Sequence, residues 1–121
     1  MSNNILKTIV VDLDDTICFP NHSYDDTERK YELASPNLNM IEALHRAKAK
    51  GYRIVVYTAR RMLTHHGDLQ KIEEDAGEAT RKWLNKYNVP CDELIFGKPY
   101  AEYYVDDKAL RPDEFVRLMN A

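Results

Sequence analysis

The sequence predicts an α/β protein built from βαβ units, with a mostly parallel sheet carrying helices on both faces. Three observations lead there. Four short apolar runs are rich in β-branched or aromatic residues, helical periodicity fills the intervals between them, and 121 residues suit one domain rather than two. Taken in order, Ile5 to Val11 reads as the first strand. A helix from Pro36 to Lys50 follows, with Ser35 as N-cap, Pro36 as first helical residue and Gly51 as the stop. Met40, Ile41, Leu44 and Ala47 form its apolar stripe. Arg53 to Tyr57 is the second strand, and a helix from about Glu73 to Tyr87 buries Ala76, Ala79, Trp83, Leu84 and Tyr87. Glu93 to Phe96 and Tyr103 to Val105 read as the third and fourth strands. Pro112 to Met119 reads as a last helix using Phe115, Leu118 and Met119.

Composition narrows the functional classes. Seventeen Lys and Arg against twenty Asp and Glu give a formal charge of -3, too acidic for a general nucleic-acid or membrane-surface binder, though a local basic patch stays open. No apolar run approaches the roughly 18 residues that span a bilayer. The N-terminal Met-Ser-Asn-Asn lacks the charged and apolar regions of a signal peptide, and Cys18 with Cys91 makes no disulfide framework. The expectation is a cytoplasmic protein with free thiols. There is no internal repeat or low-complexity linker, so residues 1–121 are expected to form one continuous domain.

In open parallel sheets, ligands bind beyond the carboxyl ends of the strands. Here those ends read Asp12-Leu-Asp14-Asp15-Thr16, Thr58-Ala-Arg60-Arg61, Gly97-Lys98-Pro99 and Asp106-Asp107-Lys108. Asp12 and Asp14, two apart on an extended segment, point to the same side. Like charges so close repel, and Asp106 with Asp107 from a neighbouring strand adds to this, so a hard divalent cation is the expected remedy. Magnesium takes oxygen ligands and binds through one or two carboxylates plus phosphate oxygens. Lys98 and the Thr58 hydroxyl would hold the same phosphate. One carboxylate can attack a phosphoryl group while a second protonates the leaving alcohol and then activates water.

These residues resemble the haloacid-dehalogenase-like phosphohydrolases. That family's pattern is an apolar strand ending in D-x-D-x-T, a strand ending in Ser or Thr, a downstream Lys, and a strand ending in an acidic pair. Ile-Val-Val-Asp12-Leu-Asp14-Asp15-Thr16, Val-Val-Tyr-Thr58, Gly-Lys98-Pro and Tyr-Val-Asp106-Asp107 follow it in order across nearly the whole chain. The resemblance implies a three-layer, Rossmann-like fold and a magnesium-dependent phosphomonoesterase. In it Asp12 is the nucleophile that forms an aspartyl phosphate, and Asp14 is the general acid and base. Thr58 and Lys98 hold the phosphate, Asp106 joins Asp12 and the backbone of Asp14 at the metal, and Asp107 supports it. Asp15 departs from the family, many members of which place Gly there, at a position that contributes backbone shape. An acid at position 14 looks like the phosphatase branches. Short stretches, Thr58 to Met62 and Gly97 to Pro112, are also similar to capsular-polysaccharide biosynthesis phosphatases, which implies a phosphorylated sugar or related metabolite as substrate.

Plainer readings stand beside these. Asp15 and Thr16 could cap a turn, Thr16 being otherwise a substrate contact. Thr58 could be a strand-end hydroxyl bonded to backbone, and Lys98 an exposed loop residue. Arg60 and Arg61 offer guanidinium groups for a substrate anion, with Arg60 the stronger candidate and a surface ion pair the alternative for one of them. His65, His66 and Asp68 read as a solvated loop before a metal site, and Cys18 as an inert thiol. The tyrosines at 100, 103 and 104 read as core and surface edge. The free stretches, Ile17 to Ala34 as a flap and Met62 to Ile72 as a loop, are too short for a cap domain. A capless site open to solvent, or closed by these loops or by a neighbouring subunit of a homo-oligomer, is expected. Two rivals remain: a phosphatase on a macromolecule such as a nucleic-acid 3′-phosphate or a phosphoprotein, and a non-enzymatic receiver-like phosphoacceptor module. The receiver reading is weakened by the lack of an acid at the end of the Arg53 to Tyr57 strand.

Overall fold

The computed structural model describes residues 7–25 and 29–121. In chain order it gives strands β1 (Thr8–Asp12) and β2 (Cys18–Phe19), a 3-10 turn at His22–Tyr24, helix α1 (Arg29–Glu32), strand β3 (Ser35–Pro36) and helix α2 (Leu38–Ala49). Strand β4 (Arg53–Thr58), helix α3 (Leu69–Ile72), a π-helical stretch Glu73–Gly77, helix α4 (Glu78–Lys86), strand β5 (Glu93–Phe96) and helix α5 (Pro112–Asn120) complete it. The main sheet is parallel, in the order β1-β4-β5, with Val11 opposite Val56 and Val56 opposite Leu94. A small antiparallel ribbon pairs β2 with β3. Of the first expected strand, Ile5 and Leu6 lie outside the described residues.

β4 is central because it is apolar on both sides: Ile54, Val55 and Val56 alternate between faces and all are buried. The two faces differ. Val11, Ile54 and Val56 share one core with Met40, Ile41, Leu44 and Ala47 of α2, Trp83 and Leu84 of α4, and Phe115 and Met119 of α5. The opposite face carries Val10 at 60% and Ile95 at 37% exposure. Among the described residues, α2, α4 and α5 all pack on the face that carries Val11, Ile54 and Val56. The strand order β1-β4-β5 moves one way across the sheet, and crossovers of the usual right hand then put α2 and α4 on the same side. After β5 no helix forms until α5, which packs back on α2.

The expected fourth strand is absent. Tyr103 to Val105 sits in an irregular segment, with Val105 98% exposed. The Tyr104 hydroxyl donates to Pro99 O at 2.5 Å, which folds the segment on itself and leaves β1 as the sheet's edge. Two helix starts also move. α2 is capped by Asn37, whose side chain accepts from Met40 N at 3.3 Å, while Ser35 and Pro36 lie in β3. A residue before proline favours extended backbone, so Ser35 is better placed in a ribbon than at a cap. The second helix begins at Leu69, not Glu73, because Asp68 accepts from Lys71 N at 3.2 Å. Gly51 stops α2 with φ at +94° and α5 opens at Pro112, as the sequence suggested, and Glu114 accepts from Arg111 N at that start. In α5, Leu118 is 53% exposed rather than core, and Ala79 and Tyr87 are only partly buried.

Candidate active site

The turn after β1 is built around one carbonyl. The amides of Thr16, Ile17 and Cys18 all donate to Leu13 O, at 3.2, 2.8 and 3.2 Å. Closing that turn puts Asp15 at φ +65°, a left-handed conformation that Asp tolerates and Gly adopts freely. The departure at Asp15 is thus a matter of backbone shape. Leu13 points into the core, and Asp12 and Asp14 on either side of it line a cleft of about 430 Å³.

Each acid meets a cation. Asp12 Oδ1 lies 3.3 Å from Lys98 Nζ, and its Oδ2 accepts from the Thr16 hydroxyl at 3.2 Å. Lys98 is aimed there by Gly97, at φ +103°, and by its own amide, which donates to Thr58 O at 3.1 Å. A Cβ at Gly97 would stand 2.9 Å from Leu69 Cδ2. The Lys98 ammonium also lies 4.2 Å from the Tyr104 ring centre. Asp14 is gripped by Arg60, whose Nε donates to both carboxylate oxygens at 3.1 and 3.0 Å and whose Nη2 donates to Oδ1 at 2.9 Å. The remaining Arg60 nitrogen, Nη1, donates to Thr80 Oγ1 at 2.9 Å, and the guanidinium stacks 4.1 Å from the Tyr31 ring centre. Burial works against the Arg60 charge, but the hydrogen bonds and charge of Asp14 outweigh it and hold its pKa above the usual value. Burial foremost, and then the Asp14 charge, pushes the Cys18 thiol up to about 12.

The expected site residues divide into two groups. Asp12, Asp14, Arg60 and Lys98 line the cleft together, with Thr16 bonded to Asp12. Thr58 is buried behind them, its Oγ1 accepting from Arg60 N at 3.1 Å. Asp106 and Asp107 are exposed on the irregular segment, where Asp106 accepts from Lys108 N at 2.8 Å, and neither lines the cleft. His65 Nε2 pairs with Asp75 Oδ2 at 2.7 Å while Asp68 caps α3, so the histidine stretch does not converge on one point. Tyr31, Lys30 and Asp75 went unanticipated. No spacing marks them, because they arrive from the flap and the π-helical stretch through tertiary packing.

Magnesium was expected from carboxylates in need of a countercharge. Among the described residues, Lys98 and Arg60 serve Asp12 and Asp14, and no three His, Cys, Asp or Glu groups converge on one point. No helix among the described residues is long and apolar enough to cross a membrane.

Fold and site together define an open-sheet α/β protein with paired carboxylates and cations at the carboxyl ends of β1, β4 and β5. A crystal structure of a Vibrio cholerae protein superposes with a TM-score of 0.81 at 34% identity, covering 95% of this chain and 94% of that one. The chain belongs to the same family as that Vibrio cholerae protein. Two structures of a Pnkp1/Rnl/Hen1 complex, one described as an RNA repair complex, contain chains that share the fold at 21% identity, with TM-scores of 0.57 and 0.55. They match 88% and 93% of this chain, which spans only 32% and 30% of theirs. No family model and no curated protein matches the chain, so the capsular-polysaccharide resemblance gains no support.

Proposed function

We propose that the protein is a phosphomonoester hydrolase of the haloacid-dehalogenase-like type, working through an aspartyl phosphate on Asp12. The observation that carries this reading is Asp12 in an open cleft with Lys98 3.3 Å away and Thr16 bonded to its other oxygen. An Asp12 oxygen attacks phosphorus as the ester P–O bond breaks, and Lys98 lies where it offsets the phosphoryl charge. Asp14 gives a proton to the leaving alcohol and takes one back from the water that cleaves the acyl phosphate. Its two oxygens both accept from Arg60, which fixes the orientation of the carboxylate in the cleft.

The substrate class follows the sequence: a phosphorylated sugar or related metabolite. The alternative, a terminal phosphate on a nucleic acid, is favoured by the fold shared with chains of an RNA repair complex. Magnesium dependence belongs to the proposal on the oxygen-donor chemistry of Asp12 and Asp14 in the cleft, and no step above runs through the metal. The test is hydrolysis of an aryl phosphate with magnesium or with a chelator. Asp12→Asn is expected to abolish turnover while leaving the unfolding transition intact. Full activity in Asp12→Asn overturns the mechanism, and full activity under chelation overturns the metal.

A further inference from the structure

Arg60 and Arg61 are consecutive, yet their donors end in different states. Arg60 is fully engaged by Asp14 and Thr80. Arg61 sits at φ +59°, a left-handed conformation that costs a non-glycine residue on the order of 1 kcal/mol and turns its side chain to a direction a regular backbone would not give. Its Nε is buried with no hydrogen-bond partner. The nearest acid oxygen, Asp75 Oδ2, is 3.5 Å away and already bonded to His65 at 2.7 Å. The Arg61 charge is thus held by a long ion pair with Asp75 while its Nε–H makes no hydrogen bond, so the guanidinium is less fully engaged than that of Arg60.

A second cation stands near it. The Arg61 guanidinium lies 4.9 Å and Lys30 Nζ 5.2 Å from the centre of the same Tyr31 ring, and both residues line the cleft that holds Asp12. Among the described residues, the acid paired with Lys30 is Asp25, at 3.6 Å and half exposed. With Lys98 given to Asp12 and Arg60 to Asp14, Asp15 is the acid left in that cleft to face two cations.

We propose that Arg61 and Lys30 form an anion subsite that reads a second negative group on the substrate, away from the phosphate that is cleaved. This rests on the hydrolase reading for its chemistry but not for its binding. The preferred substrate is a phosphomonoester with a further phosphate, phosphodiester or carboxylate, rather than a simple monophosphate. A bisphosphorylated metabolite and a phosphorylated nucleic-acid end both have that character. A guanidinium fork suits such an oxyanion, and one charge-assisted pair corresponds to about 10- to 100-fold in affinity.

The experiment compares kcat/KM for matched pairs: a sugar bisphosphate against its monophosphate, and a dinucleotide 3′-phosphate against a nucleoside 3′-monophosphate. Wild type is expected to favour the more anionic member of at least one pair about 10-fold or more, and which pair does so identifies the source. In Arg61→Gln that ratio falls toward one, chiefly through KM, and Arg61→Lys restores part of it. Lys30→Gln, a change on the surface flap, gives the same sign and serves if Arg61→Gln does not fold. Calorimetry of pyrophosphate against orthophosphate reads the subsite without turnover, with pyrophosphate expected to bind about 10-fold more tightly in wild type only. If no ester is hydrolysed but this preference holds and Arg61→Gln removes it, the hydrolase reading fails and the subsite stands. Ratios unchanged in both Gln variants, or pyrophosphate bound no better than orthophosphate, overturn the subsite.

Discussion

Removing the guanidinium that grips Asp14 is expected to cost more in folding than in any surface contact. In Arg60→Ala the side chain lost is fully buried, with 0% exposure, and its partner Asp14 keeps 24%. Breaking a buried pair from one side costs about 3–5 kcal/mol, because the surviving charge is left without compensation. Water reaches Asp14, so the lower end applies, and the orphaned Thr80 hydroxyl adds to it. At about 4 °C per kcal/mol for a domain of this size, the melting midpoint should fall by about 12 °C. Arg60→Lys keeps the charge but loses the fork, and is expected to cost about 1–2 kcal/mol. Replacing both partners, Arg60→Met with Asp14→Leu, should recover much of the loss, since an apolar pair leaves no stranded charge. The assay is reversible thermal unfolding. A midpoint for Arg60→Ala within about 3 °C of wild type would refute the claim that this pair contributes substantially to stability.

Two other outcomes follow from the same region. Asp15→Gly is expected to be neutral or to stabilise by up to about 1 kcal/mol, whereas Asp15→Val, β-branched at φ +65°, should cost about 1–2 kcal/mol in urea unfolding. Cys18, held near pKa 12 against an ordinary 9.0, should resist alkylation at pH 8, where its thiolate fraction is on the order of 10⁻⁴. Half-buried Cys91 should label first. Because the folded pKa is the higher one, the Cys18 contribution to stability is fully present below about pH 9 and is lost toward pH 12 as the unfolded thiol ionises first. Unfolding midpoints across that range should fall less steeply in Cys18→Ala than in wild type.

Local pattern made much of the fold legible. β4 and β5 follow from β-branched runs, and α2 from a stripe that buries every residue expected of it. What failed was whatever depends on a partner far along the chain. Tyr103 to Val105 has strand-like residues but no neighbouring strand, and a strand is defined by its pairing, not by its composition. The cap of α2 moved to Asn37 because its amide also donates to Thr16 O at 3.0 Å, a bond that links the helix start to the acidic turn 21 residues earlier. At the site, the strand ends supplied Asp12, Asp14 and Lys98. The Arg60 grip on Asp14 spans 46 residues, and nothing in either neighbourhood announces it. Asp106 and Asp107 are expected at the cleft as the end of a neighbouring strand and as the acidic pair of the family resemblance, and with Tyr103 to Val105 unpaired they lie on the exposed irregular segment instead.

Leu13 ties chemistry to folding. Between the two acids the chain inserts a fully buried leucine whose carbonyl collects three amides. No small local opening can swing Asp12 away from Asp14 without first pulling Leu13 and Ile17 from the core. The amide protons of Thr16, Ile17 and Cys18 should therefore exchange with solvent only at the slow rate set by global unfolding, though they belong to a loop beside an open cleft. Changes that tune which substrate enters have the flap and the cleft walls to work with, while the acidic turn has the rigidity of the core.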